Sequence, residues 1–331
     1  MKVALVGMGR WGSRLIPKLL NNPRIAGVVG YDTDASRRAA IAQDFSGVAV
    51  VRDCDSIYKE VDAVVIATPV ASHYDLARQA LESGKHVLLE KPLTSRLEDA
   101  SHLVQIARER GLTLMVDHIT AYSGFVRKIK ELITAREMGT VLYVDAVRAN
   151  LGMLQRDVNV AWDLAVHEFA LLDHLLGEMP RAVSGIGAAY HGKQEEIAYI
   201  ALFYGNGIIA HVNVSWLSPV KIRRLVIGGT DQTVIYDDTA ATDKLIVSTA
   251  GIEVSRDRDS VIPRIAYRQG SARVIVLGQD EPLVSMLDEF IGSIEEHRAP
   301  MTDGEAGWRT VKVLTAVERS IQQHGVRIPL D

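Results

Sequence analysis

The chain has 331 residues, 47% hydrophobic and 24% charged, and its 37 lysines and arginines against 41 aspartates and glutamates give a formal charge of −4. That length is comfortable for two domains, and the near balance of charge gives no reason to expect nucleic acid or an anionic membrane as a partner. A single cysteine, Cys54, excludes an internal disulfide framework and a cysteine-built metal site, and no apolar run reaches the ~18 residues of a membrane span.

Val3 to Val6 is a short apolar run with two β-branched members, the pattern of a buried parallel strand. Starting this early it leaves no room for a signal peptide, so a cytoplasmic protein is expected. Gly7-x-Gly9-x-x-Gly12 follows, and then Leu15, Ile16, Leu19 and Leu20 recur at helical spacing. Strand, glycine turn and helix in that order form the context in which GxGxxG becomes a dinucleotide-binding fingerprint. Gly7 permits the tight turn, Gly9 lets backbone approach a pyrophosphate, and Gly12 lets helix and strand pack closely. The helix N-terminus offers free N–H groups to the phosphates. Met8, Arg10 and Trp11, between the glycines, are expected to line the same ligand. Asp32 follows at about the expected ~20-residue interval. A carboxylate there bonds a ribose 2′-hydroxyl and repels a 2′-phosphate, which predicts NAD over NADP. Arg37 and Arg38, a turn or two downstream, are the residues that could instead reach a phosphate.

Strand and helix patterns then alternate to about residue 118. Helices are predicted over 35–43, 70–83 and 94–110, the last begun by Thr94, and strands over 48–51, 63–67, 86–90 and 112–116. Such alternation means a parallel sheet covered on both faces. Ligands of such sheets sit at the C-terminal strand ends, which puts Thr68-Pro69, Glu90-Lys91-Pro92 and Asp117-His118 beside the glycine turn and Asp32. After His118 a helix near 126–135 leads to a long strand, 141–148, and Trp162 to Leu176 is helical in period. Residues 181–247 read as successive strands joined by turns at Gly205-Asn206-Gly207 and Gly228-Gly229. Helices over 283–297 and 304–323, the second capped by Asp303, close the chain. The predicted class is α/β. A doubly wound parallel Rossmann sheet fills 1–118, and an α+β domain with a large, mostly antiparallel open sheet fills 119–331, its last helix free to pack back on the first domain.

Three places carry chemistry. Pro92 biases Lys91 towards an extended conformation, turning it to the ligand end of the sheet, where it could bond a substrate hydroxyl or be a solvated strand-end lysine. Asp163 and His167 lie four apart on one helix face. Histidine is the natural proton carrier near neutral pH, and alcohol oxidation needs a base for the hydroxyl proton; a polar face meeting solvent is the bland alternative. His167-Glu168 opens like HExxH, but Leu171 stands where the second histidine is required, so the zinc signature fails. His73 and His118 could line the ligand or be hydrogen-bonded structural histidines.

GMGRWG at 7–12, Asp32, ATP at 67–69 with His73, EKP at 90–92 and DxxxH at 163–167, in this order, resemble the glucose–fructose oxidoreductase / inositol dehydrogenase (Gfo/Idh/MocA) family over essentially the whole chain. The resemblance implies an NAD-dependent sugar dehydrogenase in which Lys91 and His167 flank the reacting carbon and Asp163 binds substrate. It adds Thr68, Pro69, His73, Glu90, His118 and Trp162 to the cofactor's surroundings, and homo-oligomers formed through the open sheet. The segment from Asn150 to His167, with Tyr267-Arg268-x-Gly270 and Glu281-Pro282-Leu283, looks like the branch acting on nucleotide-linked sugars. That implies oxidation at C3 of UDP-N-acetylglucosamine or a relative, for amino-sugar or lipopolysaccharide (lipid A) synthesis. Arg148, Asn150, Arg156 and Asn159 would suit a phosphorylated sugar, as would Arg256, Arg258, Arg264, Arg268 and Arg273 if not a solvated basic loop. Where relatives often carry Arg-Phe this chain has Ile119-Thr120-Ala121-Tyr122, which leaves Tyr122 as an open substrate candidate. A free polyol or sugar dehydrogenase, a ketoreductase running in reverse, and a non-catalytic NAD-binding sensor remain alternatives.

Overall fold

The computed structural model describes residues 1–54, 56–152, 154–155, 158–255, 264–278 and 281–330. The chain forms two compact units, Met1–Tyr122 with Asp280–Lys312, and Ser123–Gln279 with Val313–Asp331.

In the first unit the strands are β1 (Lys2–Val6), β2 (Gly27–Tyr31), β3 (Val48–Val50), β4 (Ala63–Ile66), β5 (His86–Leu89) and β6 (Leu114–Val116). They pair in the order β3-β2-β1-β4-β5-β6, every pair parallel. The order reverses at β1, so the turns after β1 and β4 diverge to either side and leave space at the switch point. Helices α1 (Gly12–Leu20), α2 (Ala35–Asp44), α3 (His73–Glu82) and α4 (Leu97–Glu109) cover the sheet. β4 is buried along its whole length, as continuous apolar strands under helices must be. Two helix starts differ from expectation. The stretch predicted from residue 70 opens as a 3₁₀ turn, Val70–Ser72, before α3. Thr94 is no cap: its hydroxyl bonds the Arg96 carbonyl at 2.7 Å, holding a loop that delays α4 to Leu97. A later helix, given below as α7, returns Leu283, Met286, Leu287 and Phe290 to the core formed by Val3, Leu5, Leu15, Ile16 and Tyr122.

The second unit begins with α5 (Gly124–Thr134) and β7 (Val141–Leu151), followed by a π-helical turn, Ala161–Ala165, that runs into α6 (Val166–Leu176). Then come β8 (Ala182–Ala188), β9 (Ile197–Phe203), β10 (Ile209–Ser215), β11 (Leu217–Gly229), β12 (Thr233–Asp237), β13 (Leu245–Ser248), β14 (Gly251–Ser255), β15 (Arg264–Arg268) and β16 (Ala272–Ile275). α7 (Pro282–Glu295), α8 (Gly304–Gln322) and β17 (Ile328–Pro329) finish the chain, with Asp303 accepting from Ala306 N at 2.8 Å at the start of α8. Nine strands pair as β16-β13-β12-β11-β7-β10-β9-β8-β17. All neighbours are antiparallel except β7 with β10. Burial alternates along β9, β10 and β12, the period of a sheet with one buried face. Val317 and Ile321 of α8 pack over Gly185 on that face. The other face leaves Tyr143, Ile186, Tyr199 and Ile209 exposed, with Ile209 paired to Tyr143 and Ile186 to Tyr199.

Candidate functional site

In the first unit the glycine turn is built as its spacing requires. Gly7 has φ +90°, and a Cβ on it would sit 2.5 Å from the Ala67 carbonyl oxygen. A Cβ on Gly12 would sit 2.0 Å from the Gly7 oxygen. Gly9 differs: among the described residues a Cβ there would meet only the flexible end of Arg37, at 3.5 Å. Gly7 is fixed by its positive φ and the Ala67 carbonyl, Gly12 by the Gly7 carbonyl, and Gly9 faces open space beside a guanidinium. Asp32, 5% exposed, closes the other side of the turn. Its carboxylate accepts from Met8 N at 2.8 Å and Asp34 N at 2.9 Å. Arg38 is turned to the Asp32 and Thr33 carbonyls, while Arg37 lies 3.7 Å from the Asp32 carboxylate.

The strand-end residues form a buried polar group in the same unit. His73 bridges the turns after β4 and β5, with Nε2 2.9 Å from the Thr68 carbonyl and Nδ1 2.9 Å from that of Pro92. Burial, foremost, holds its pKa below the ordinary value. Trp11 donates its indole N–H to Asp117 at 3.1 Å, and Arg14 lies over the ring. Asp117 also accepts from Ile119 N at 3.2 Å and is hydrogen-bonded to Glu90. Two carboxyl groups can share a hydrogen bond only if one is protonated. The shared bond raises Glu90 and lowers Asp117, so Glu90 is the donor. Burial, and then the Asp117 charge, push Glu90 well above the ordinary carboxylate range. Burial, with Lys91 second, pushes His118 down to about 3. Among the described residues, neither nitrogen of His118 has a hydrogen-bond partner. Unsatisfied buried polar atoms are costly, and a polar ligand over the ends of β5 and β6 would satisfy them. An open glycine turn, the Asp32 carboxylate beside it and these atoms all fit a dinucleotide.

In the second unit Asn159 organises the start of the π turn. Its side-chain oxygen accepts from Ala161 N at 3.1 Å and Trp162 N at 3.2 Å, as an N-cap does. Its amide donates to Glu195 at 3.0 Å. Val166 N bonds the carbonyl of Ala161, five residues back. Such turns recur at functional sites, and this one keeps Asp163 and His167, both half-buried, on one side. Asp163 accepts from the indole N–H of Trp216 at 3.0 Å, and Trp216 is 1% exposed. Asn150 lies close by, since a Cβ on Gly152 would touch both its amide and the Trp216 ring at 3.0 Å.

Five of the expected ligand residues are instead engaged within the protein. Arg148 is buried and pairs with Glu168 at 2.5 Å, so its charge is neutralised within the unit. Tyr122 is 3% exposed with its hydroxyl 2.9 Å from Thr302 Oγ1, a core residue of the first unit. Trp162 is buried and donates its indole N–H to Glu318 at 3.3 Å. Arg268 bonds the carbonyls of Thr249, Thr230 and Asp231, and Arg273 pairs with Glu137 at 3.3 Å. Arg156, Arg256 and Arg258 lie outside the described residues. Trp216 was not among the predicted site residues, and Glu168 entered only through the failed zinc signature. A lone tryptophan ending an alternating strand, and a glutamate beside the histidine, were the only signals.

Comparison with known proteins gives the family. The family model for the oxidoreductase family GFO_IDH_MocA, NAD-binding Rossmann fold, matches residues 1–118, and that for its C-terminal alpha/beta domain matches 130–330. UDP-N-acetylglucosamine 3-dehydrogenase of Acidithiobacillus ferrooxidans is 28% identical over 98% of this chain and 99% of its own. A solved structure of that dehydrogenase superposes with a TM-score of 0.83 at 26% identity, covering 98% of each chain. scyllo-Inositol 2-dehydrogenase (NADP(+)) IolW of Bacillus subtilis is 25% identical over 63% of each chain.

Proposed function

The chain belongs to the Gfo/Idh/MocA oxidoreductase family and is an NAD-binding oxidoreductase, and from that premise we propose that it oxidises the 3-hydroxyl of a nucleotide-linked sugar, UDP-N-acetylglucosamine foremost. The observation that carries this reading is the end-to-end similarity to UDP-N-acetylglucosamine 3-dehydrogenase. Bound NAD supplies the hydride acceptor. His167 takes the hydroxyl proton as the hydride leaves the same carbon, so one carbonyl, one reduced cofactor and one proton result. Lys91 holds the substrate oxygen and stabilises the negative charge that grows on it. Asp163, kept in place by Trp216, accepts from a neighbouring sugar hydroxyl, with Asn150 beside it. Gly7, Gly9, Gly12 and Asp32 hold the cofactor's adenosine and diphosphate, and Glu90 and His118 its other end.

The substrate question is settled by incubating the enzyme with NAD and UDP-N-acetylglucosamine, UDP-glucose, a dTDP-sugar, or free inositols, and following nicotinamide absorbance. Rapid reduction with UDP-N-acetylglucosamine is expected. Turnover of inositols alone would favour a polyol dehydrogenase, a reading supported by the similarity to the inositol enzyme. His167→Asn and Lys91→Ala should each lose most turnover with NAD affinity intact, and near-normal rates in either would remove that residue's role. The exposed Tyr143, Ile186, Tyr199 and Ile209 support self-association through the open sheet as a dimer or tetramer. Light scattering at micromolar concentration tests it, and a monomer would refute it.

A further inference from the structure

The loop joining β8 to β9 borders an open-sided cavity of about 460 Å³ in the second unit, lined by Leu154, Gln155, His191, Lys193, Gln194, Trp216 and the carboxylate-bearing Glu196. That volume lies within the ~300–1,000 Å³ of small-molecule sites. We propose that this cavity binds the diphosphate of a nucleotide-linked substrate through Lys193 and His191; the proposal rests on the nucleotide-sugar reading above and deepens it.

The loop is closed by a buried carboxylate. Glu196, 2% exposed, accepts from His191 N at 2.7 Å on one oxygen and from the ring Nδ1 at 2.8 Å on the other. Its backbone N–H bonds Ala188 O at 2.8 Å, and its carbonyl accepts from Trp216 N at 2.9 Å. Against the upward push of burial, the bonds from His191 hold Glu196 below the ordinary carboxylate range, so it is ionised. Its partner Nδ1 therefore carries the proton, and Nε2 is the free edge of a ring that is 65% exposed. A histidine anchored this way is an anion ligand: protonated at Nε2 it donates there, its charge balanced from behind by Glu196. Lys193 adds a full positive charge and takes part in no ion pair among the described residues. Gln155 and Gln194 add amide donors. Cationic and amide donors, with Leu154 and the Trp216 ring as apolar walls, suit a phosphate group.

Position decides which phosphate. Trp216 borders the cavity and donates its indole N–H to Asp163, the acid of the DxxxH pair. One residue thus separates the acid assigned to the sugar ring from the cationic loop. A ligand with hydroxyls at Asp163 and an anionic group some atoms away spans both, as a sugar with a diphosphate on C1 does. A free polyol would leave the loop unused.

The test is calorimetric titration of the NAD-loaded enzyme with UDP, uridine and inorganic pyrophosphate, alongside steady-state kinetics with UDP-N-acetylglucosamine. Wild type should bind UDP well above uridine. Lys193→Ala and His191→Ala should each weaken UDP and raise KM for the UDP-sugar by roughly tenfold or more, the value of one charge-assisted hydrogen bond, with kcat changed less than twofold. If the UDP-sugar is turned over but the double variant keeps wild-type KM and UDP affinity, this site is overturned while the function stands. Equal affinity for uridine and UDP also overturns it. If wild type binds no UDP and oxidises only a free polyol, site and function fall together.

Discussion

Gly9 and Gly12 are one turn apart and carry the same side chain, yet they should fail in opposite ways when changed to alanine. A Cβ on Gly12 would lie 2.0 Å from the Gly7 carbonyl oxygen, a backbone atom that cannot swing aside. Separating them displaces α1 from β1, a strain on the scale of overpacking, about 1–3 kcal/mol. At Gly9 the Cβ would meet only the end of Arg37, at 3.5 Å. Gly9 is also not among the glycines with positive φ, so alanine fits its backbone. The apo stability of Gly9→Ala should therefore stay within about 0.5 kcal/mol of wild type. Its methyl group would instead occupy the space proposed for the pyrophosphate. Losing about two charge-assisted hydrogen bonds, ~3 kcal/mol, weakens NAD roughly 100-fold. Thermal unfolding of the apo proteins and NAD titration by tryptophan fluorescence separate the effects, since Trp11 lies within the same turn. A Gly9→Ala protein that binds NAD within threefold of wild type would refute the placement of the diphosphate. One that unfolds as early as Gly12→Ala would refute the packing argument.

Glu168→Gln strands the buried Arg148 charge and should cost about 3–5 kcal/mol in urea unfolding, whereas removing both with Arg148→Met/Glu168→Leu should recover most of it. A mild effect of the single change would mean that water reaches the pair. Burial lowers His118 from 6.5 to about 3, so the folded state refuses a proton that the unfolded chain accepts. Its stabilising contribution is fully present above pH 6.5 and is lost progressively as pH falls towards 3. Glu90, pushed the opposite way, is common to both proteins, so His118→Asn should show a shallower fall in Tm between pH 6.5 and 4, and parallel curves would contradict this. Asp32→Ser removes the proposed acceptor for the ribose hydroxyl and leaves Arg37, 3.7 Å from that carboxylate, with Asp34 as its remaining counter-charge. The ratio of kcat/KM with NAD to that with NADP should drop at least tenfold, and an unchanged ratio would show that Asp32 does not select the cofactor.

The first unit was legible because its signals are local. Strand, glycine turn, helix and acid occur within 32 residues, and the close approach that requires Gly12 is to the motif's own Gly7. The ends of helices were less legible, since Thr94 has the chemistry of an N-cap but bonds the Arg96 carbonyl. A hydroxyl can satisfy a turn or a helix equally well, and the choice depends on where the loop after Pro92 must run.

The second unit exposes the limit of reading charge from sequence. Arg148 looks like a phosphate ligand because arginine is the residue that pairs bidentately with phosphate. The same property makes it the natural partner of a buried carboxylate, and Glu168, twenty positions on, takes that role. A cation's availability is decided by register: β7 turns the Arg148 side chain to the buried face, under α6. Lys193 and His191 gave no comparable signal, since a loop reading His-Gly-Lys-Gln-Glu-Glu looks like solvated surface. Only the buried Glu196, with both oxygens held by His191, shows that the loop is built. The arginine that sequence would choose for an anion is inside the fold, and the candidate anion site lies in a loop whose charges nearly cancel.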